Sequence, residues 1–246
     1  MGQTRDPVDG SEAARAERAA ALDLMRRRAL SLVVELESAE GIERVELVEK
    51  PILRYSTPTL RQFDQTLWTW GRVGRPVAIA TIGPKGCELV SVADGPLSMT
   101  AKSGWKWTPR GSGMTWKPVP DAPALGKTAT ERARQMKEIA RKFTASASSK
   151  KIPYVELRLV DQPLHRYADP DRGLIDGSVF SFAAGTNPEL LLLVECRREP
   201  QGKLVWQYGC ARMSAANCEA KIGETIVWTC SNDGPHGAAE PYYIVP

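Results

Sequence analysis

ILRYSTPTLRQFDQTLWTW, residues 52–70, and LHRYADPDRGLIDGSVFSF, residues 164–182, are two versions of one segment. Arg54/Arg166, Tyr55/Tyr167, Pro58/Pro170 and Asp64/Asp176 coincide at a constant offset of 112 residues. Trp68/Phe180 and Trp70/Phe182 exchange one aromatic for another. Working outward, the register holds without a gap from Val45/Leu157 to Ala80/Leu192, adding Leu47/Leu159, Val48/Val160, Pro51/Pro163 and Pro76/Pro188. Prolines and paired aromatics do not keep step over that length by chance. An internal repeat of this kind predicts two similar lobes.

Each copy reads as a helix followed by antiparallel strands. In the first, Ser11 is placed to cap a helix whose stripe is Leu22, Met25, Ala29, Leu32 and Leu36, with Gly41 as its stop. Strand patterns follow at Glu43–Tyr55, broken by Pro51, then at Thr66–Trp70, Val77–Ile82 and Glu88–Val92. In the second, Thr128 and Glu131 form a capping box. Ala129, Ala133, Met136, Ala140 and Phe143 make the apolar stripe, and Ser146–Ser149 closes the helix. Strand patterns recur at Tyr154–Tyr167, Ser178–Phe182, Leu190–Arg197 and Leu204–Arg212, with one more at Glu224–Cys230.

The expected fold is therefore α+β: two tandem α-β-β-β-β units with mainly antiparallel sheet and one amphipathic helix per unit. The boundaries are a polar tail over 1–10, a first unit over 11–101, a connector over 102–126 and a second unit over 127–246. Unpaired strand edges on both units predict that they join edge to edge.

The 246 residues, 42% hydrophobic and 25% charged, are those of a soluble globular protein. The longest apolar run, Leu190–Val194, is strand-sized, and a bilayer needs about 20 residues, so no membrane partner is expected. The polar N-terminus carries no signal-peptide core, and five cysteines at irregular spacing read as reduced thiols. Both point to the cytoplasm. Charge is unevenly spread. Lys102–Lys151 holds 12 Lys/Arg against three acids, while the remainder holds 21 against 26. The connector is the basic part of a slightly acidic chain.

That connector supplies the leading candidate site. Trp105, Lys106, Trp107 and Arg110, then Trp116 and Lys117, interleave rings with cations, a pattern suited to a ligand with flat and anionic parts. The bland alternative is that the indoles pin a loop to the sheet. The repeated set Arg54, Tyr55, Asp64 and Arg166, Tyr167, Asp176 could bind an anion. Structural pairing of each Arg with its Asp explains the repetition better. His165 replaces Leu53 of the first copy, and with Arg166, Tyr167 and Asp176 it is where catalysis would sit if there were any. Cys210, Cys218, Cys230 and His236 lack a C-x-x-C knuckle, so neither metal nor cofactor is expected. Phosphate-loop, dinucleotide, zinc-protease and nucleophile-elbow signatures are missing.

The pattern R-Y-x-x-P-x5-D-x3-[WF]-x-[WF], with the later Gly185-Thr186-Asn187-Pro188-Glu189, resembles an uncharacterised bacterial protein family with this duplicated repeat, over about Val45–Met213. No activity is established for that family, so the resemblance implies kinship and transfers no site. The functional expectation is a non-catalytic ligand-binding or protein-interaction module, for an anionic ligand or a protein partner. The alternatives are an enzyme with a cleft between the units centred on His165, and nucleic-acid binding through the connector and second helix.

Overall fold

The computed structural model of the protein describes residues 12–38, 41–57, 62–71, 73–84, 86–150, 154–233 and 236–245. The polar tail and the Ser11 cap lie outside these residues. The first half contains α1 (Glu12–Leu30), β1 (Leu32–Ser38), β2 (Gly41–Val45), β3 (Leu53–Thr57), β4 (Gln62–Trp70), β5 (Ala78–Ile82), β6 (Cys87–Ser91) and β7 (Leu97–Ala101). The connector carries β8 (Lys106–Trp107) and β9 (Trp116–Pro118). The second half contains α2 (Ala129–Ala140), β10 (Phe143–Ser148), β11 (Val155–Asp169), β12 (Leu174–Ala184), β13 (Asn187–Arg198), β14 (Leu204–Arg212), β15 (Asn217–Ile222) and β16 (Thr225–Cys230), and β17 (Tyr242–Val245) ends the chain. The protein is α+β and mainly antiparallel, and no helix among the described residues is long and apolar enough to cross a membrane.

Sheet is more extensive than four strands per unit. The strand orders are β2-β1-β7-β8, then β17-β6-β5-β4-β3, and an eight-stranded β16-β15-β10-β11-β12-β13-β14-β9. In the first half β1 pairs with β2 and β7, while β3, β4, β5 and β6 form a ladder. In the second, β10 pairs with β11 and β15, while β11, β12, β13 and β14 form the same ladder. The 15-residue β11 runs where β2 and β3 are separate. Its register shift lies between Val160 and His165, around Pro163, and the first half breaks at Pro51. A proline cannot donate to the ladder, so both halves interrupt pairing there.

Both helices end sooner than their stripes suggest. Ser31 N–H donates to the Arg27 and Arg28 carbonyls and closes α1. Leu32 and Leu36, expected on the helix, belong to β1 instead and pair with Ala101 and Leu97. Val33 and Val34 favour extended backbone, and β7 supplies a distant partner that no local spacing reveals. Phe143 and Ser146 likewise belong to β10, not to α2. Gly41, with φ of 123°, is the first residue of β2, paired with Ser38, and is not a helix stop. The capping box at Thr128 and Glu131 forms as expected, with Thr128 Oγ1 accepting from Glu131 N–H and the Glu131 carboxylate from Thr128 N–H.

The halves meet face to face, correcting the expected edge-to-edge joint. Strands buried on both sides need two covers. Alternate residues of β4 and β5, Trp68, Trp70, Ala78, Ala80 and Ile82, pack with Met25 and Ala29 of α1. Phe180, Phe182, Leu190, Leu192 and Val194 of β12 and β13 pack with Met136 and Ile139 of α2. The opposite faces, Leu67 and Ile79 of the first half and Val179, Leu191 and Leu193 of the second, form a shared third core. The order of layers is helix, sheet, sheet, helix, with the inner faces interdigitating as in a sandwich. β17 returns from the end of the chain to pair with β6, so the last residues complete the first half's sheet.

Candidate functional site

The repeated Arg–Asp pairs act on architecture. Arg54 donates through Nε and Nη2 to Asp64 Oδ1 at 3.2 and 2.7 Å, and Nη2 also reaches the Arg18 carbonyl of α1 at 2.9 Å. Arg166 donates to Asp176 at 2.8 and 2.5 Å and reaches the Ala129 carbonyl of α2 at 2.7 Å. In each half one guanidinium ties the β3-type strand, the next strand and the helix together. Asp176 is nearly fully buried and accepts from a second guanidinium through a single bond, from Arg132 Nε at 2.9 Å.

His165 lies on β11 beside that cluster, its ring stacked on Tyr167 at 5.9 Å between centroids. Its Nε2 is buried without a hydrogen-bond partner, and burial holds its pKa below the ordinary imidazole value. No carboxylate is hydrogen-bonded to it among the described residues, so the arrangement lacks the orienting acid that a general base needs.

The connector is mostly a staple. Trp107 is fully buried, and its Nε1 donates to the Glu240 carbonyl at 2.8 Å. Backbone bonds from Thr108 and Arg110 to Ala238 and Ala239 continue the tie. Trp116 lies under the Arg75 guanidinium, 4.1 Å from its ring centroid. Lys106, Arg110 and Lys117 are exposed, and Lys117 Nζ donates to the Val227 carbonyl at 2.6 Å. On α2, Arg141 is spent on Asp161, Lys137 on Gln162, and Arg134 faces Glu138. The cations expected to meet phosphate are thus largely occupied.

Trp105 is the exception. It is half-buried, meets Tyr243 edge-on at 6.4 Å, and forms one wall of a cavity of about 380 Å³. Leu32, Ile82, Cys87, Ala101 and Val245 complete its apolar lining, and Arg28 brings a guanidinium to it. Arg28 Nη1 donates to the Gly83 carbonyl at 2.5 Å, which fixes the charge at the end of α1. Burial pushes the Cys87 thiol up to about 11 despite the opposing Arg28 charge, so that thiol is inert packing.

A second cavity, of about 430 Å³, opens where the 71–77 turn meets the end of β11. Its most buried charge, Arg75, is already engaged. Arg75 clamps fully buried Glu195 through Nε at 2.6 Å and Nη2 at 2.7 Å, and also meets Asp94. Tyr167 Oη and Gln207 Nε2 donate to the same carboxylate at 3.0 and 2.9 Å. Burial opposes the Arg75 charge, but the bonds to Glu195 outweigh it and raise its pKa. Gly71, with φ of 120° and a hypothetical Cβ only 2.8 Å from the Arg75 carbonyl, permits the tight turn that aims Arg75 inward. Sequence reasoning passed over this network. The one signal was a carboxylate, Glu195, inside the apolar run Leu190–Cys196.

Cys210 on β14 and Cys218 are buried in the second half's core with Cys230 packed against it, and Cys230 and His236 line one cavity. No group of three or more metal-type ligands occurs among the described residues. Compared with protein-family models, with curated proteins and with solved structures, the chain matches none.

Proposed function

We propose that the protein is a non-catalytic binding module whose ligand occupies the Trp105 cavity. The observation that carries this reading is the lining of a cavity of about 380 Å³: an indole and five apolar side chains, with Ser31, Ser103 and one fixed guanidinium, Arg28. Ligand sites are concave, mostly apolar and oriented by a few polar groups, within roughly 300–1,000 Å³. The matching ligand is a small apolar anion, an aromatic or aliphatic carboxylate or sulfonate, with its charge on Arg28 and its body on Trp105. Of the six connector residues singled out by sequence, Trp105 alone lines this cavity.

The test uses 1-anilinonaphthalene-8-sulfonate, an apolar ring system carrying one anion, as the probe. Saturable binding with enhanced emission is expected, weakened about tenfold by Trp105→Ala and made less salt-sensitive by Arg28→Met. Binding unchanged in both variants, or no saturable binding in the native protein, overturns the assignment.

The halves are also read here as products of one doubled segment. The common ladder order and the matched Arg–Asp–helix ties support that view. Five free thiols fit a reducing compartment such as the cytoplasm.

A further inference from the structure

We propose that Cys218 and Cys230 form a reversible dithiol–disulfide pair whose oxidant is a peroxide, with Cys230 as the attacking thiol and Cys218 as the resolving one. The site is separate from the Trp105 cavity and does not depend on it.

Strand pairing supplies the geometry. β15 and β16 are antiparallel, and their register sets Cys218 directly opposite Cys230. Directly opposed residues have Cα atoms about 4.5–5.5 Å apart, inside the roughly 4.4–6.8 Å that a disulfide spans. Both Sγ atoms lie 3.8 Å from one carbonyl oxygen, that of Ala216, so the two thiols project to the same side of the pair. Both are free thiols in the structure.

Accessibility divides the roles. Cys218 is buried, with its Sγ also 3.8 Å from the Glu189 carbonyl. Cys230 is half-buried and lines a cavity of about 370 Å³, together with Ser112, Thr115, Arg212 and His236. A small oxidant therefore reaches Cys230 first. Arg212 is held against this strand pair by donating to the carbonyls of Ser214, Ala216 and Ser231 at 2.9, 3.0 and 2.8 Å. Its guanidinium is stacked over Tyr242 at 4.8 Å, and its charge acts on both thiols. The hydrogen bond between the thiols lowers the Cys230 pKa, burial opposes that, and Arg212 adds to the lowering. The same bond, with burial, drives Cys218 upward. The attacking sulfur is thus the one nearer its thiolate form.

The chemistry balances in two steps. Cys230 thiolate attacks one peroxide oxygen, an S–O bond forms, the O–O bond breaks, and the departing hydroxide takes up a proton as water. Cys218 sulfur then attacks Cys230 sulfur, the S–S bond forms and the S–O bond breaks. The Cys218 proton leaves with the hydroxide as a second water. Two thiols lose two electrons and hydrogen peroxide gains them. A small thiol reductant reverses the change through a mixed disulfide at the same half-buried sulfur.

The test takes reduced full-length protein, treats it with one equivalent of hydrogen peroxide, and maps thiols by mass spectrometry after alkylation. A loss of two hydrogens and a Cys218–Cys230 cross-linked peptide are expected, with Cys87, Cys196 and Cys210 still alkylated. Cys218→Ser leaves a sulfenic acid on Cys230 that dimedone traps, and Cys230→Ser shows no sulfenic acid at Cys218. Should a serine variant not fold, the native cross-link map and the order of alkylation with limiting iodoacetamide decide alone, with Cys230 expected first. Preferential oxidation of Cys87, no cross-link, or Cys218 reacting ahead of Cys230 overturns the proposal.

Discussion

Replacing Arg75 with methionine isolates the strongest tie between the halves. Glu195 is fully buried, and Arg75 is its only charged partner among the described contacts, through two bonds at 2.6 and 2.7 Å. Arg75→Met keeps the stem's volume and leaves the carboxylate with two neutral donors, Tyr167 and Gln207. Removing one member of a buried pair costs about 3–5 kcal/mol. The expected loss is about 3–4 kcal/mol at pH 7, the lower part of that range because the Tyr167 and Gln207 donors remain. Urea unfolding, followed by tryptophan fluorescence, measures it. The melting temperature should fall by about 6–16 °C at pH 7. Arg75→Met combined with Glu195→Leu should recover part of the loss, because no charge is then left buried. A loss below about 1 kcal/mol at pH 7 refutes this account.

Four further outcomes are expected. Asp176→Ala should cost about 2–4 kcal/mol, since it strands Arg132 and Arg166, whereas Asp64→Ala, in the more exposed twin pair, should cost about 1 kcal/mol or less by chemical denaturation. Gly177→Ala places a methyl 2.4 Å from the Tyr167 ring, so it should lose about 1–3 kcal/mol and disturb the Tyr167–Glu195 bond, read by near-ultraviolet circular dichroism. Thr128→Ala removes the α2 cap and should cost about 1 kcal/mol, measured by thermal unfolding. Burial depresses the His165 pKa, so its neutral form is favoured in the folded state; stability is full above about pH 6.5 and is lost as pH falls below it. His165→Leu, which copies Leu53, should flatten that part of the stability–pH curve, and an unchanged slope would contradict the burial.

What the sequence revealed divides along the line between local and distant partners. The Thr128 cap and the Arg–Asp pairs are encoded within about a dozen residues, and each appears where expected. Leu32 and Leu36 failed as helix residues because an i,i+4 stripe also fits a strand once β7 lies alongside. The face-to-face packing was written into Leu67, Ile79, Leu191 and Leu193, apolar residues on strand faces that the helices leave uncovered. An edge-to-edge joint would have left them in water. Arg75 and Glu195 stand 120 residues apart, and nothing near either names the other. The connector's composition was legible but its orientation was not. Tryptophan between lysines describes a ligand surface and a staple equally well, and the bond from Trp107 to Glu240 settles it for that ring alone.

Within the matched stretch the copies differ where the halves are clamped together: an offset of 112 residues sets Asn187 against Arg75. The repeated Arg–Asp pairs, by contrast, hold each helix to its own sheet. If one segment was doubled, its shared residues had to keep two helix-on-sheet layers intact. The inner faces, newly opposed to each other, were free to diverge. An inner face built twice from one sequence would oppose like to like, and an Arg75–Glu195 clamp requires that the two faces differ. Asymmetry at the interface is therefore a condition of the buried ion pair, and the same freedom admits a ligand cavity in one half and a thiol pair in the other. Restoring the repeat at Arg75 alone, as Arg75→Asn, should consequently destabilise the joint as Arg75→Met does, while substitutions that exchange repeated residues between copies, such as Trp68→Phe, should be borne within one half at a cost of about 1–3 kcal/mol. A chain in which Arg75→Asn is silent would mean that the interface does not rest on the unmatched residues.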